Sequence, residues 1–298
     1  MTTHHNRLRI LALTTAITAV AGLGLSACAS GADSATGPSS DCTPKHADIQ
    51  TISDGKLTVG VIDIPPFSSY NSGSPEGIDV EIVKQIAAEE CLEPVYQQAT
   101  YADAIQSISG NMIDLAIGTI DRTDARQKVV DFSSSTYLDG LGIASKTGAQ
   151  TISDIESMNS IGTIDGYLWV EDIRSIVGDK LKTYPSSVEL KADFDAGRLD
   201  AALDAYGVLV PEYKDDSSVT VALANSNPDP RVAAIVTAPQ AAFPLTKGNA
   251  SLKTALSEDI DAMRADGSIK GWISAAGLSE DLAGKEEDLT KAYSVPES

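Results

Sequence analysis

The stretch whose reading decides the fold runs Ile113-Asp-Leu-Ala-Ile-Gly118, Thr119-Ile-Asp-Arg-Thr-Asp-Ala-Arg126, Gln127-Lys-Val-Val-Asp-Phe-Ser133 and Ser134-Ser-Thr-Tyr137. Its first six residues are a short apolar run closed by a glycine, as expected of a buried strand in a parallel sheet. The run spills into a polar loop at its carboxyl end, where open α/β sheets hold their ligands. Thr123 is a good helix N-cap. Arg126 then falls in the first helical turn with its guanidinium near the loop, able to grip a carboxylate in bidentate fashion. The alternative for Arg126 is a structural ion pair with Asp131 or Asp124.

Upstream, Leu57 to Ile62 reads as an apolar strand, interrupted by Asp63 and by Pro65-Pro66-Phe67. The prolines force an extended exit and leave Phe67 near the strand's end, either as a site wall or in the core. From Asp79, placed to cap a helix, the apolar positions Val80, Val83, Ile86 and Ala87 take helical spacing up to Cys91. Val95 and Tyr96 suggest a second strand. Thr100 to Asp103 resembles a capping box and opens a helix that buries Ile105 and Ile108 and stops at Gly110-Asn111. The order is β-α-β-α-β, that of a mainly parallel sheet.

Downstream, Leu138 to Lys146 continues as a strand-like segment, and a second unit follows. Ser160 to Ile164 reads as a strand, Asp165-Gly166 as a turn with Asp165 as helix cap or ligand contact, and Tyr167 onward as a helix with Val170, Ile173 and Val177 inward. Another helix ends at Gly197. A strand from Leu199 to Leu203 finishes at Asp204-Ala205-Tyr206, its carboxyl end facing the same cleft as Gly118. Residues 225–231 are a surface loop by composition. Leu252, Leu256, Ile260 and Met263 define an amphipathic helix closed by Gly267, and a short helix places Trp272 inward. The acidic stretch from residue 279 to 298 reads as a frayed tail.

The 298 residues, 42% of them apolar, suffice for two medium domains. His4, His5, Arg7 and Arg9 precede an interrupted apolar stretch, Ile10 to Leu25, that is an export signal, too broken for a membrane span. Leu25-Ser26-Ala27-Cys28 resembles the lipobox of bacterial lipoproteins, which implies cleavage before Cys28 and a lipid on its sulfur. Residues 28–49 then form a flexible tether rich in small polar residues. Cys42 and Cys91 remain, an even number in an oxidising compartment, and are expected to pair. The cysteines lack the close paired spacing of a structural zinc site, so no metal is expected, and no cofactor. His46 sits in the tether without a visible catalytic partner. The formal charge is -20, and losing residues 1–27 removes two arginines and no acids, leaving -22. Such a surface repels nucleic acid and anionic lipid.

Several matches stand together in order: Asp54-Gly-Lys-Leu-Thr-Val-Gly, Pro65-Pro66-Phe67, Gly77-Ile-Asp-Val-Glu, Ser109-Gly-Asn-Met-Ile-Asp-Leu, Arg126 with Val130-Asp-Phe-Ser, and Gly197-Arg-Leu-Asp-Ala-Ala. On these the chain resembles the extracellular solute-binding proteins of the polar amino-acid family that serve ABC importers. The resemblance covers about residues 54 to 278. It implies an α/β, two-lobed periplasmic-binding-protein-like fold of type II, each lobe a mainly parallel sheet flanked by helices, with a two-strand hinge near 140 and 240. Lobe one would comprise residues 50–140 and 240–278, lobe two 141–239.

The resemblance implies a non-enzymatic receptor: a monomer, lipid-anchored on the outer face of the cell membrane, that hands a small solute to permease and ATPase subunits. Arg126 matches the family's carboxylate clamp, on a loop that includes Gly118 and Thr119. Four positions depart from the pattern. Asp121 replaces a Ser or Thr, Tyr167-Leu168 replace two hydroxyl residues, Ala205 stands where the amine-binding aspartate is counted with Asp204 one place before it, and Ile64 replaces an aromatic shelf. Asp63, Asp121, Asp165 and Asp204 offer partners for an amine or cation, and Phe67, Tyr101, Tyr167 and Trp169 offer apolar or cation-π walls. The expected ligand is therefore an amino acid or a related zwitterionic or cationic nitrogen-containing solute. A cyclohexadienyl dehydratase-like enzyme and a ligand-sensing module are the alternatives on the same fold.

Overall fold

The computed structural model describes residues 41–71, 73–224, 227–236, 239–285 and 289. The export signal and Cys28 lie outside them. The first sheet is built from the segments that bracket the Ile113–Tyr137 stretch. They are β1 (Lys56–Ile62), the small hairpin β2 (Ser69–Asn71) and β3 (Ser74–Glu76), α1 (Ile78–Glu89), β4 (Glu93–Ala99), α2 (Tyr101–Ser109), β5 (Leu115–Ile117), α3 (Asp124–Gln127) and β6 (Asp131–Leu138). The second lobe holds β7 (Leu141–Ser145), α4 (Ile152–Glu156), β8 (Ile161–Ile164), α5 (Val170–Val177), β9 (Leu181–Tyr184), α6 (Ser187–Asp195), β10 (Ala201–Ala205), α7 (Tyr206–Tyr213), β11 (Thr220–Leu223) and α8 (Ala233–Val236). β12 (Gln240–Leu245), α9 (Ala250–Ala265) and α10 (Ser268–Ala275) return to the first.

The first sheet has the order β4-β1-β5-β12-β6, with β1 parallel to both β4 and β5 and β12 antiparallel to β5 and β6. The second has the order β11-β7-β10-β8-β9, with β8 parallel to β9 and β10 and the β7 pairings antiparallel. β1 and β5 are apolar because α-helices cover both faces of a parallel sheet, and Leu57, Val59, Val61, Leu115 and Ile117 are fully buried. The expected single strand from Leu138 to Lys146 is broken at Asp139-Gly140, because β6 ends one sheet and β7 begins the other. Asp139 N–H donates to the Pro239 carbonyl at 3.3 Å, so the two chain crossings between lobes are bonded to each other.

Helix starts follow their side chains where a hydroxyl is available. Thr100 caps α2, Thr123 caps α3 by accepting from Arg126 N–H at 3.1 Å, and Ser186 caps α6. Two expected caps are different in the structure. α1 starts after Gly77 without a side-chain cap, and Asp79 is wholly buried within it. α5 starts only at Val170, after a turn through Tyr167 in which Asp165 is exposed and caps nothing. β9, β11 and α7 have no counterpart in the sequence-based reading. The two strands are four residues long and partly exposed, and α7 carries Pro211 and lacks a side-chain cap.

Both ends of the described chain are more tightly held than composition suggests. Cys42 and Cys91 form a disulfide that pins the arm to the end of α1. Lys45 N–H donates to the Glu89 carbonyl at 3.1 Å, so residues after Cys42 are docked and not a free tether. The start of the acidic tail, residues 280–283, is a short 3-10 helix, with Lys270 paired to Glu280 at 2.8 Å and Leu289 buried. Leucines among the acids give the segment something to bury.

Candidate functional site

The loop after β5 is shaped by residues far from it in sequence. Gly118 adopts φ 124, and a Cβ there would lie 2.7 Å from that of Ile62, so only glycine fits. Thr119 follows with φ 51, an unusual conformation for a β-branched residue. Buried Asp79 holds the turn: its carboxylate accepts from Gly118 N–H at 2.9 Å and from the Tyr137 hydroxyl at 2.8 Å.

Arg126 stands at the mouth of this loop, as expected, but its donors are engaged by protein. Nη1 donates to the Tyr101 hydroxyl at 3.2 Å and to the Asp121 carbonyl at 2.8 Å. Nη2 donates across the cleft to the Gly166 carbonyl at 2.9 Å. The guanidinium also lies 5.2 Å from the Tyr101 ring centroid, a cation-π distance. Tyr101 packs edge-on against Tyr167 at 4.6 Å, and Tyr167 against Trp169 at 4.8 Å. Behind them Tyr167 donates to Asp204 at 3.0 Å and the Trp169 indole donates to Thr163 at 2.9 Å. The cavity these groups enclose measures about 10 Å³, no more than one water needs. The lobes are therefore shut on the protein's own side chains.

The sequence pattern of the bacterial extracellular solute-binding proteins, family 3, matches residues 57–274. The chain belongs to that family. Among curated relatives, the L-cystine-binding protein TcyJ of Escherichia coli (strain K12) is 27% identical over 233 residues, which are 74% of this chain and 84% of that one. The glutamine-binding protein of Geobacillus stearothermophilus is 27% identical over 178 residues, 56% of this chain and 67% of its own. Among solved structures, the arginine-bound substrate-binding protein AbpA of Streptococcus pneumoniae superposes with a TM-score of 0.65 at 22% identity, covering 78% of this chain and 97% of that chain. A variant of ArgBP from T. maritima gives 0.66 at 20% identity, over 75% and 95%. These superpositions show the two-lobed fold.

Within this family member the remaining candidate residues scatter over several environments. Tyr101, Thr119, Asp121, Tyr167 and Trp169 line the small cavity. Asp204 lies behind Tyr167, its carboxylate also accepting from Ala205 N–H at 2.7 Å. Asp63 lies in a separate groove of about 520 Å³ between the lobes, shared with Asp103 and Glu189. Phe67 is not a wall: it is fully buried and stacks on Tyr137 at 4.9 Å, because the chain after β1 folds its ring into the core. Asp121 does not turn to Arg122, whose guanidinium reaches Gln240 instead.

Sequence reasoning missed Asp139. The residue lines the cavity; its Oδ1 accepts from Gly140 N–H at 2.7 Å and Gly207 N–H at 3.2 Å, while its Oδ2 is buried with no hydrogen-bond partner among the described residues. Burial pushes Asp139 up to about 8 despite those two amides, and the nearby Asp121 and Asp204 carboxylates add to the rise. Burial also pushes Asp121 up to about 7, opposed by Arg126, and Asp204 up to about 6. Two carboxyl groups with weakened acidity, Asp121 and Asp139, thus line the cavity, with a third, Asp204, behind Tyr167. Asp-Gly reads as a turn in sequence, and only the meeting of the two crossings gives Asp139 its environment.

Proposed function

We propose that this chain is the substrate-binding component of an ABC importer, taking an amino acid or related zwitterionic or cationic nitrogen-containing solute between its lobes and delivering it to permease and ATPase subunits. The observation that carries the reading is Arg126, a guanidinium at the strand-end loop of one lobe that already closes on an acceptor of the other. A ligand carboxylate would take the place of the Gly166 carbonyl and gain a charge-assisted contact, worth roughly 1.5–3 kcal/mol per hydrogen bond. Asp121, Asp139 and Asp204 would face the amine, and Tyr101, Tyr167 and Trp169 would pack on its apolar part. Relatives named for cystine, glutamine and arginine support a zwitterionic ligand.

For a solute to enter, the lobes part about the crossings at Asp139 and Pro239, a hinge motion spread over a few torsions. Residues 1–27 would be removed and Cys28 lipidated, leaving a monomer on the outer face of the cell membrane. Among the described residues no helix is long and apolar enough to cross a membrane.

Calorimetric titration with the amino acids, cystine, betaines and polyamines tests the proposal. One ligand with micromolar affinity, about 8 kcal/mol, is expected, and Arg126→Ala should weaken a carboxylate-bearing ligand roughly 100-fold. An unchanged affinity in that variant would remove the clamp, and turnover of prephenate or arogenate would replace the receptor by an enzyme.

A further inference from the structure

Outside the cleft, the arm, the end of α1 and the middle of α9 bring a second group of ionisable residues together. His46 faces Glu90 through Nδ1 at 2.5 Å and Glu258 through Nε2 at 3.1 Å, and its N–H donates to Glu90 at 2.9 Å. Lys45 reaches Asp259 at 2.5 Å and Glu89 at 3.5 Å. The Glu90 and Asp259 side chains are fully buried, which is uncommon for carboxylates. Four carboxylates therefore face two cations. Asp259 Oδ2 is buried with no hydrogen-bond partner among the described residues. A buried, unpartnered carboxylate oxygen beside another carboxylate is a place where positive charge is missing.

We infer that His46, Glu90 and Asp259 form a divalent-cation site of the zinc type. Their ligand atoms lie within 4.8 Å of one another. Tetrahedral zinc with bonds near 2.0–2.2 Å separates its ligands by about 3.3 Å, so side-chain rotation closes the set. One imidazole and two carboxylates suit zinc better than calcium, which takes six or more oxygens, or magnesium, which dehydrates reluctantly. Binding replaces the proton between His46 and Glu90, which leaves to solvent. Lys45 keeps Asp259 Oδ1, leaving Oδ2 for the metal, and a water completes the shell, while Glu258 stays on His46 Nε2 and orients the ring. The disulfide from Cys42 to Cys91 adjoins both His46 and Glu90 and holds the arm where the site needs it.

The full chain contains three histidines, so the test uses the His4→Ala/His5→Ala background, in which His46 is the sole imidazole. After dialysis against chelator, titration with Zn2+ should show one ion per chain, with heat that depends on buffer ionisation through the released proton, and a raised unfolding temperature. His46→Ala and, separately, Asp259→Asn should weaken Zn2+ at least roughly tenfold, while Ca2+ and Mg2+ leave the unfolding temperature unchanged. Should Asp259→Asn fail to fold, His46→Gln on the exposed arm, checked by circular dichroism, decides. No stoichiometric Zn2+ binding, or binding equal in the His46 variants, overturns the inference. The site in the cleft is unaffected by either result.

Discussion

Arg126 and Asp139 show two ways in which a residue comes to stand at the cleft. The arginine was legible because a buried strand, a glycine and a capped helical turn fix where its side chain must go. Asp139 was not, since its environment is made by Gly140, Gly207 and Pro239, which come together only when two chain crossings meet. With its acidity weakened to about 8, Asp139 is mostly neutral at pH 7. Asp139→Asn, which mimics the neutral acid, should leave unliganded stability within about 0.5 kcal/mol near pH 4 and make the variant the more stable of the two at pH 8, because over that interval the unfolded wild-type carboxyl ionises while the buried one stays protonated. Urea midpoints at the two pH values measure this. An Asn variant that is less stable at both would mean that the carboxylate is charged and paired in the native protein.

At the scale of elements, the loop after β5 depends on a glycine that packs against β1 and on an aspartate brought by α1. Gly118→Ala would place a methyl 2.7 Å from Ile62 Cβ at φ 124. A cost on the order of 2–3 kcal/mol is expected, from backbone strain and overpacking together, read as a lowered urea midpoint. A change under about 0.5 kcal/mol would show that the loop readjusts freely. The parallel core strands and the helices with Thr or Ser caps were legible because period and capping are local signals. β9, β11 and α7 were not: the strands are short, and α7 buries the consecutive residues Gly207, Val208 and Leu209 and carries Pro211. Asp79 looked like a cap because it stands in the first turn, whereas tertiary contact with Tyr137 and Gly118 claims its carboxylate.

The whole molecule carries an unusual proton balance. Burial raises Asp79 to about 7, Asp121 to about 7, Asp139 to about 8, Asp204 to about 6 and Glu212 to about 8. Unfolded carboxyls titrate near 4, so from about pH 4 to pH 8 the folded chain binds more protons than the unfolded one. The stabilisation from these neutral acids is fully present below about pH 4 and is lost as pH rises through the folded values. Groups lowered by hydrogen bonds, such as Asp154 beside the Gln150 and Thr151 amides, act in the opposite sense, but only below their ordinary range. The unliganded protein should therefore have a higher urea midpoint at pH 5.5 than at pH 8. A flat or rising profile over that interval would show that water or ions reach these carboxylates. A cationic solute that ionises them would flatten the slope.

The disulfide at Cys42 also sets a mechanical frame. It and the contacts of Lys45 and His46 all end on α9 or at the end of α1, which pack on the first lobe, so the described part of the leading segment, from Cys42 on, is bolted to that lobe. Under the proposed function, an attachment at that end would make the first lobe the stationary part and the second lobe the jaw that swings.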